Sequence, residues 1–185
     1  MRPDDLPDVY DPAEDSRLLA DTLDEYLGAG EDFLEVGTGT GEVAASVADR
    51  AGRVVTTDLN PHACERARER GLPVVRANVL DPIAADAADV IAFNPPYLPT
   101  PADDERSDWL AVALSGGPDG RRVVDPFLAD LGRVLRPEGR AYLLVSTLTG
   151  LDAVRDRANR SGFVARTVAE RSFPFERLVV LELDR

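Results

Sequence analysis

Apolar residues along the 185-residue chain fall into two patterns that take turns. Leu19, Leu23, Tyr26 and Leu27 recur at three- and four-residue spacing, which predicts an amphipathic helix over 12–27. Short apolar runs at 33–36, 53–58, 72–77, 88–93 and 141–145 read instead as strands. Between them, helical faces are marked by Val43, Ala44, Val47 and Ala48, by Ala63, Cys64 and Ala67 in a helix over 61–70, and by Val123, Phe127, Leu131, Val134 and Leu135. Leu151, Val154 and Ala158 mark another. The last two β segments, 163–170 and 177–183, are separated by the short stretch Ser172 to Glu176, which suits an antiparallel hairpin. Strands alternating with helices predict a mostly parallel α/β sheet with an antiparallel strand near its end. Pro73, which has no N–H to donate, puts the 72–77 strand at a sheet edge.

The breaks between elements carry the candidate chemistry. Asp11, Pro12 and Glu14 have the cap, first-turn and third-position pattern of a helix start, preceded by a polar arm over residues 1–10. Glu14, Asp15 and Ser16 are either plain first-turn residues or reach a ligand. The strand ending at Val36 runs into Gly37-Thr38-Gly39-Thr40-Gly41 and then a helix, a nucleotide-type turn in which glycines let a ligand approach the backbone. It lacks the third glycine of the dinucleotide pattern and the Gly-Lys-Ser/Thr of a phosphate loop. Glu35 before it would repel a pyrophosphate and tolerate a cationic group such as an ammonium or a sulfonium. Asp58, at the end of the next strand, is placed to accept hydrogen bonds from ribose hydroxyls. Asn78 offers the donor and acceptor that an adenine edge requires, and it is also a common turn residue.

After the 88–93 strand comes Asn94-Pro95-Pro96-Tyr97. Asn94 brings a side-chain carbonyl, Pro95 a backbone carbonyl and Tyr97 a flat apolar face, a set that suits a planar NH2 group. Asn-Pro also begins ordinary turns, so the five residues read either way alone. Residues 98–120 show no clear period, and long loops often cover active sites. Trp109 and Leu110 within them are expected to pack on the core.

Composition narrows the classes. Charged residues make up 30%, with 34 acidic against 21 basic and a formal charge of −13. The sequence contains no lysine. Acidity argues against a nucleic-acid partner, since phosphates are repelled. An acidic, lysine-free chain also suits a salty cytoplasm, where charges are screened within about 3 Å at 1 M salt, and a halophilic source is expected. Cys64 and His62 are single, so no internal disulfide and no Cys-rich metal site is expected. His62 falls in Asn60-Pro61-His62, the cap and first turn of a helix, and reads as structural. The first residues do not form a signal peptide and no run of 18 apolar residues occurs, so a soluble, cytoplasmic protein of one domain over 1–185 is expected.

Glu35 to Gly41, Asp58 and Asn94-Pro95-Pro96-Tyr97 together resemble the class I S-adenosylmethionine-dependent methyltransferases. Tyr10 to Ser16 and Gly116-Gly117-Pro118-Asp119-Gly120 are similar to the eukaryotic and archaeal HemK-type branch. That resemblance implies a Rossmann-like, seven-stranded mostly parallel sheet in the order 3-2-1-4-5-7-6 with helices on both faces. It implies S-adenosylmethionine bound by Ser16, Glu35, the loop glycines Gly37, Gly39 and Gly41, Asp58, Asn78, Val79 and Asn94. Asn94, Pro95, Pro96 and Tyr97 would hold the acceptor, with Asn94, Pro95 and Tyr97 at the chemistry. The implied reaction is methylation of the glutamine side-chain nitrogen in the Gly-Gly-Gln tip of a class I translation release factor. The implied partner is a small zinc-binding activator, docked on the 72–77 edge strand to form a heterodimer. An adenine N6 methyltransferase of DNA or RNA uses the same four-residue motif, a lysine methyltransferase fits two acceptors less well, and a non-catalytic cofactor-binding subunit would not need the motif intact.

Overall fold

The computed structural model describes residue 9, residues 13–104, residue 106 and residues 108–185. Helices and strands follow one another in the predicted order, with α4 added: α1 (Glu14–Tyr26), β1 (Asp32–Val36), α2 (Glu42–Val47), β2 (Arg53–Asp58), α3 (Pro61–Glu69), β3 (Val74–Arg76), β4 (Ala88–Phe93), α4 (Trp109–Leu114), α5 (Val124–Val134), β5 (Leu135–Ser146), α6 (Leu151–Arg160), β6 (Val164–Ser172) and β7 (Arg177–Asp184). The seven strands form one sheet in the order β3-β2-β1-β4-β5-β7-β6, as the resemblance implies. β1 lies parallel to β2 and β4, β2 to β3, and β4 to β5, while β7 runs antiparallel between β5 and β6.

Side chains on successive strand residues point to opposite faces, so each central strand feeds two cores. Ile91 and Phe93 of β4, Leu143 and Val145 of β5, and Val179 and Leu181 of β7 pack under α5 and α6 with Phe127, Leu131 and Val154. Their neighbours Val90, Ala92, Tyr142, Leu144 and Val180 pack on the other face with Leu19 and Leu23 of α1 and Val43, Ala44 and Val47 of α2. Leu19 and Leu23 are fully buried, so truncating either to alanine costs about 2–5 kcal/mol.

Three boundaries differ from the sequence expectation. The first helix starts at Glu14 with Ala13 as its cap residue and no side-chain cap bond; Asp11, Pro12 and most of the 1–10 arm lie outside the described residues. The edge strand shrinks from 72–77 to Val74–Arg76, because Pro73 supplies a carbonyl to Thr56 N (2.9 Å) but has no N–H to extend the ladder. The strand read at 141–145 extends back to Leu135, taking in Pro137-Glu138-Gly139 as an irregularity where the register on β4 jumps from Ala88↔Leu135 to Val90↔Arg140.

At the amino end of the sheet, Arg140 donates to both Glu31 carboxylate oxygens (2.8 and 2.9 Å), to Tyr26 O (2.6 Å) and to Tyr142 Oη (2.9 Å). The Arg140 hydrogen bonds hold the Glu31 carboxyl below its ordinary value. Tyr142 Oη in turn donates to Glu182 (3.0 Å), so one guanidinium ties the end of α1, the approach to β1, β5 and β7 together. Replacing Arg140 by alanine strands those acceptors and is expected to cost about 2–4 kcal/mol, read as a lower midpoint in urea unfolding.

Candidate active site at the carboxyl rim of the sheet

A cleft opens over the carboxyl ends of β1, β2 and β4, where the chain changes direction across the sheet and open α/β folds place their ligands. Its walls are the glycine turn, the residues following β2 and β3, the Asn94–Leu98 segment, the first turn of α1 and one side of α4.

The glycine turn is pinned from below. Thr38 N donates to Thr57 O (2.9 Å), Gly41 N to Thr38 O (2.8 Å) and Gly39 N to Asp58 Oδ2 (2.8 Å). Gly39 has φ +55 and nothing within 4 Å of where a Cβ would stand, so the backbone there faces open space. Gly41, expected among the contact residues, is not on the cleft wall. It has φ +78 at the start of α2, and a Cβ would stand 2.7 Å from Leu72 Cδ1, so its role is to let the turn close against α3.

Glu35 is 4% exposed beneath the turn, its Oε2 accepting from Thr38 Oγ1 (2.6 Å) and Ala44 N (3.1 Å). Burial outweighs those bonds and pushes the carboxyl up to about 8. The folded protein thus holds a proton that the unfolded chain releases near 4.5. The stability this contributes is complete below that value and is lost as pH rises through about 8. Burial raises Asp58 as well, in the same sense. The melting temperature of the wild type is therefore expected to fall between pH 5 and 8, and Glu35→Gln to flatten the Glu35 share of that fall, up to about 1.4 kcal/mol per pH unit. Equal pH slopes for the two proteins in thermal melts would contradict it.

Asp58 keeps capacity for a ligand. Oδ2 takes Gly39 N and Oδ1 takes Asn60 N (2.8 Å each), the Leu59 N–H also bonds the carboxylate, and the two oxygens together, on the cleft wall, still have acceptor capacity to spare. Asn60 caps α3 by accepting from His62 N (3.0 Å), and His62 is exposed in that first turn, in keeping with its structural reading. Asn78 lines the cleft, its Nδ2 directed at Asp81 Oδ2 (3.4 Å). Val79 lines it too, at φ 53, a left-handed conformation that costs a β-branched residue about 1–3 kcal/mol.

The four-residue motif turns directly off β4. Asn94 Nδ2 donates to Asp15 Oδ2 (3.2 Å). Its Oδ1 is the one buried side-chain oxygen without a partner among the described residues. An unpaired buried carbonyl costs about 1–3 kcal/mol, so this atom is poised for a donor. Pro95, Pro96 and Tyr97 line the cleft beside it, and Tyr97 also packs on the α1 side of the core. Of the three polar residues opening α1, Asp15 and Ser16 face the cleft, whereas Glu14 pairs with Arg17 (2.8 Å) and Arg171 outside it.

The 98–120 stretch is not without structure. It holds a 3-10 turn at Ala102–Asp104 and the six-residue α4, capped by Asp108 accepting from Ala111 N (3.0 Å). Leu98 N bonds Leu114 O (3.0 Å) and Gly116 N bonds Leu98 O (2.9 Å), which fastens α4 beside the motif. Trp109 does not enter the core as expected; with Val112, Ala113 and Leu114 it forms an apolar side of the cleft. The sequence missed this wall because Trp-Leu-Ala-Val-Ala-Leu is apolar all round and sets no period; Asp108 was its only start signal. No cluster of potential metal ligands occurs among the described residues.

Comparison with known proteins agrees with this geometry. The model of a methyltransferase domain family matches residues 33–139. A Methanocaldococcus jannaschii chain bearing the name protein N5-glutamine methyltransferase is 35% identical, over 97% of this chain and 93% of its own. Human methyltransferase HEMK2 is 34% identical, over 96% and 90%. Among solved structures, the E. cuniculi Mtq2–Trm112 complex responsible for methylating the eRF1 translation termination factor contains a chain that superposes with a TM-score of 0.82 at 32% identity, covering 97% of this chain and 99% of that one.

Proposed function

The chain belongs to the HemK-type class I methyltransferases, SAM-dependent N-methyltransferases, and from that membership we infer that it methylates the side-chain nitrogen of the glutamine in the Gly-Gly-Gln motif of a class I release factor. The observation that carries the acceptor assignment is the unpartnered Oδ1 of Asn94, next to Pro95 and Tyr97 in the cleft.

The residues present fit the cofactor. Asp58 has lone pairs for the ribose hydroxyls, Asn78 and Val79 wall the place for the base, Gly39 gives open backbone, Gly37 lies on the cleft wall against the Phe93 ring, and Ser16 and the buried Glu35 stand at the other end. S-adenosylmethionine, when bound, supplies a methyl group on a sulfonium, whose sulfur keeps the electron pair of the broken bond as a neutral thioether. An amide nitrogen is a poor nucleophile because its lone pair is delocalised. Asn94 Oδ1 and the Pro95 carbonyl accept its two N–H bonds, which fixes the nitrogen and favours the positive charge it gains as the new bond forms. Tyr97 packs against the flat amide. The nitrogen's proton becomes acidic only after transfer and leaves to water, so no strong base is needed in the site. Oδ1 is buried, so the acceptor displaces protein atoms in reaching it.

The partner assignment follows the same relatives. β3 forms the end of the sheet, with Val75 41% exposed, and a small zinc-binding activator would add its own strand there.

Methyl transfer from labelled S-adenosylmethionine to purified release factor, with and without the activator, tests the reading. Label is expected on the intact factor and not on one whose Gly-Gly-Gln glutamine is replaced by alanine. Label on adenine of DNA or RNA, or on lysine, with none on that glutamine, would overturn it.

A further inference from the structure

We propose that Asp15 is a positioning residue for Asn94: its carboxylate locks the carboxamide in the orientation that turns Oδ1 to the acceptor and Nδ2 away. This rests on the functional reading above and adds a residue that the motif around Asn94 does not contain. A carboxamide has nearly the same shape after a half-turn, so only its partners decide which end is oxygen. Among the described residues the Asn94 carboxamide meets one partner, Asp15 Oδ2 at 3.2 Å, contributed by a helix 79 residues earlier in the chain. An ionised carboxylate only accepts. The flipped amide would set oxygen against oxygen and leave Nδ2 buried without an acceptor.

Asp15 is itself fixed. It is 5% exposed, and its other oxygen accepts from Ser16 N (2.7 Å). It sits in the first turn of α1, where the helix dipole favours a negative charge, and that helix is anchored by Leu19 and Leu23 in the core. The carboxylate also polarises the amide it binds. Accepting a hydrogen bond at Nδ2 pushes electron density toward Oδ1, and hydrogen bonds in series strengthen one another. A stronger acceptor at Oδ1 helps most when the nitrogen in front of it turns cationic. Asp15 thus acts on the reaction through Asn94.

The test uses Asp15→Asn and Asp15→Ala in the full chain with its activator. Asparagine keeps the shape and can accept from Nδ2, but it donates equally well, so the orientation lock is lost. With Asp15→Asn, kcat is expected to fall about tenfold and with Asp15→Ala about a hundredfold, while KM for the protein acceptor and cofactor Kd stay within about threefold. In an Asn94→Ala background the same Asp15 changes are expected to cost less than about twofold, because the group they act through is gone. An equal cost in both backgrounds, or kcat within about twofold of wild type in Asp15→Asn, would overturn the proposal. Labelling asparagine nitrogen gives a readout that needs no substrate, since the chain has only Asn60, Asn78, Asn94 and Asn159. The Asn94 side-chain protons should be protected from exchange in the wild type and lose protection in Asp15→Asn; unchanged protection would also overturn it. A wild type that fails to label the release factor sinks the functional reading instead, and leaves the amide-proton result to judge Asp15 by itself.

Discussion

Asn94→Ala is expected to cut turnover by about a hundred- to a thousandfold while leaving cofactor affinity within about tenfold. The size follows from what one preorganised hydrogen-bonding group contributes at a reacting centre where charge develops. The split follows from position. Asn94 directly follows β4 and its unpartnered oxygen is the one assigned to the acceptor, whereas the groups assigned to the ribose and the base stand at the end of β2 and just after β3. The fold should survive, because the side chain contributes one hydrogen bond at the cleft and the motif's packing comes from Phe93 and Tyr97. Steady-state kinetics with the release factor and calorimetric titration of S-adenosylhomocysteine measure the two quantities separately. Turnover within about fivefold of wild type would remove Asn94 from the chemistry, and a lost melting transition would recast its role as structural.

Asp58→Ala is expected to show the opposite division, with cofactor affinity falling about a hundredfold or more. Two losses combine. The ribose hydroxyls lose a charged acceptor, worth about 1.5–3 kcal/mol for such a bond. The glycine turn loses the tether from Gly39 N to Asp58 Oδ2, so the backbone facing the ligand is no longer held in place. With about 1.4 kcal/mol per tenfold, these together exceed two orders of magnitude. Asp58→Asn, which still offers one oxygen, should fall between. At saturating cofactor, turnover of both variants should recover to within about tenfold of wild type. Titration calorimetry checks the affinities, and a Kd within threefold of wild type for Asp58→Ala would place the ribose elsewhere.

The charge of −13 bears on how these measurements behave. Ion pairs such as Arg166–Glu182 and Arg177–Glu170 lie near the surface and weaken with salt. The hydrogen bonds of Glu35, Asp58 and Asp15 are enclosed, so the effects predicted for them should persist across ionic strength.

The order of strands and helices was legible because burial imposes a period. Two-sided strands at 53–58 and 88–93 read as short runs with the boundaries observed, and α3, α5 and α6 read as helical faces. Where the period was absent, as in the apolar Trp109–Leu114, the helix and the cleft wall it makes stayed hidden. The glycine turn, Asp58 and Asn94 were legible for a different reason: each closes a strand at its carboxyl end, so position along the chain already meant position at the rim. Gly41 carried the same local signal as Gly37 and Gly39, and only the structure separates them: Gly39 faces open space, Gly37 lines the cleft against Phe93, and Gly41 is turned from the cleft toward Leu72.

The amino-acid sequence by itself therefore determined the succession of strands and helices and the groups that close a strand at the rim, since these follow from local propensity and alternation, while the order of the strands in the sheet came from the family resemblance. Tertiary structure alone decided which of Glu14, Asp15 and Ser16 enters the cleft, that Asp15 meets Asn94, and that Arg140 clamps the far end of the sheet. Those choices depend on how α1 is rotated against β5 and β7, and that rotation is set by packing among residues far apart in the chain, which no window of neighbouring residues contains.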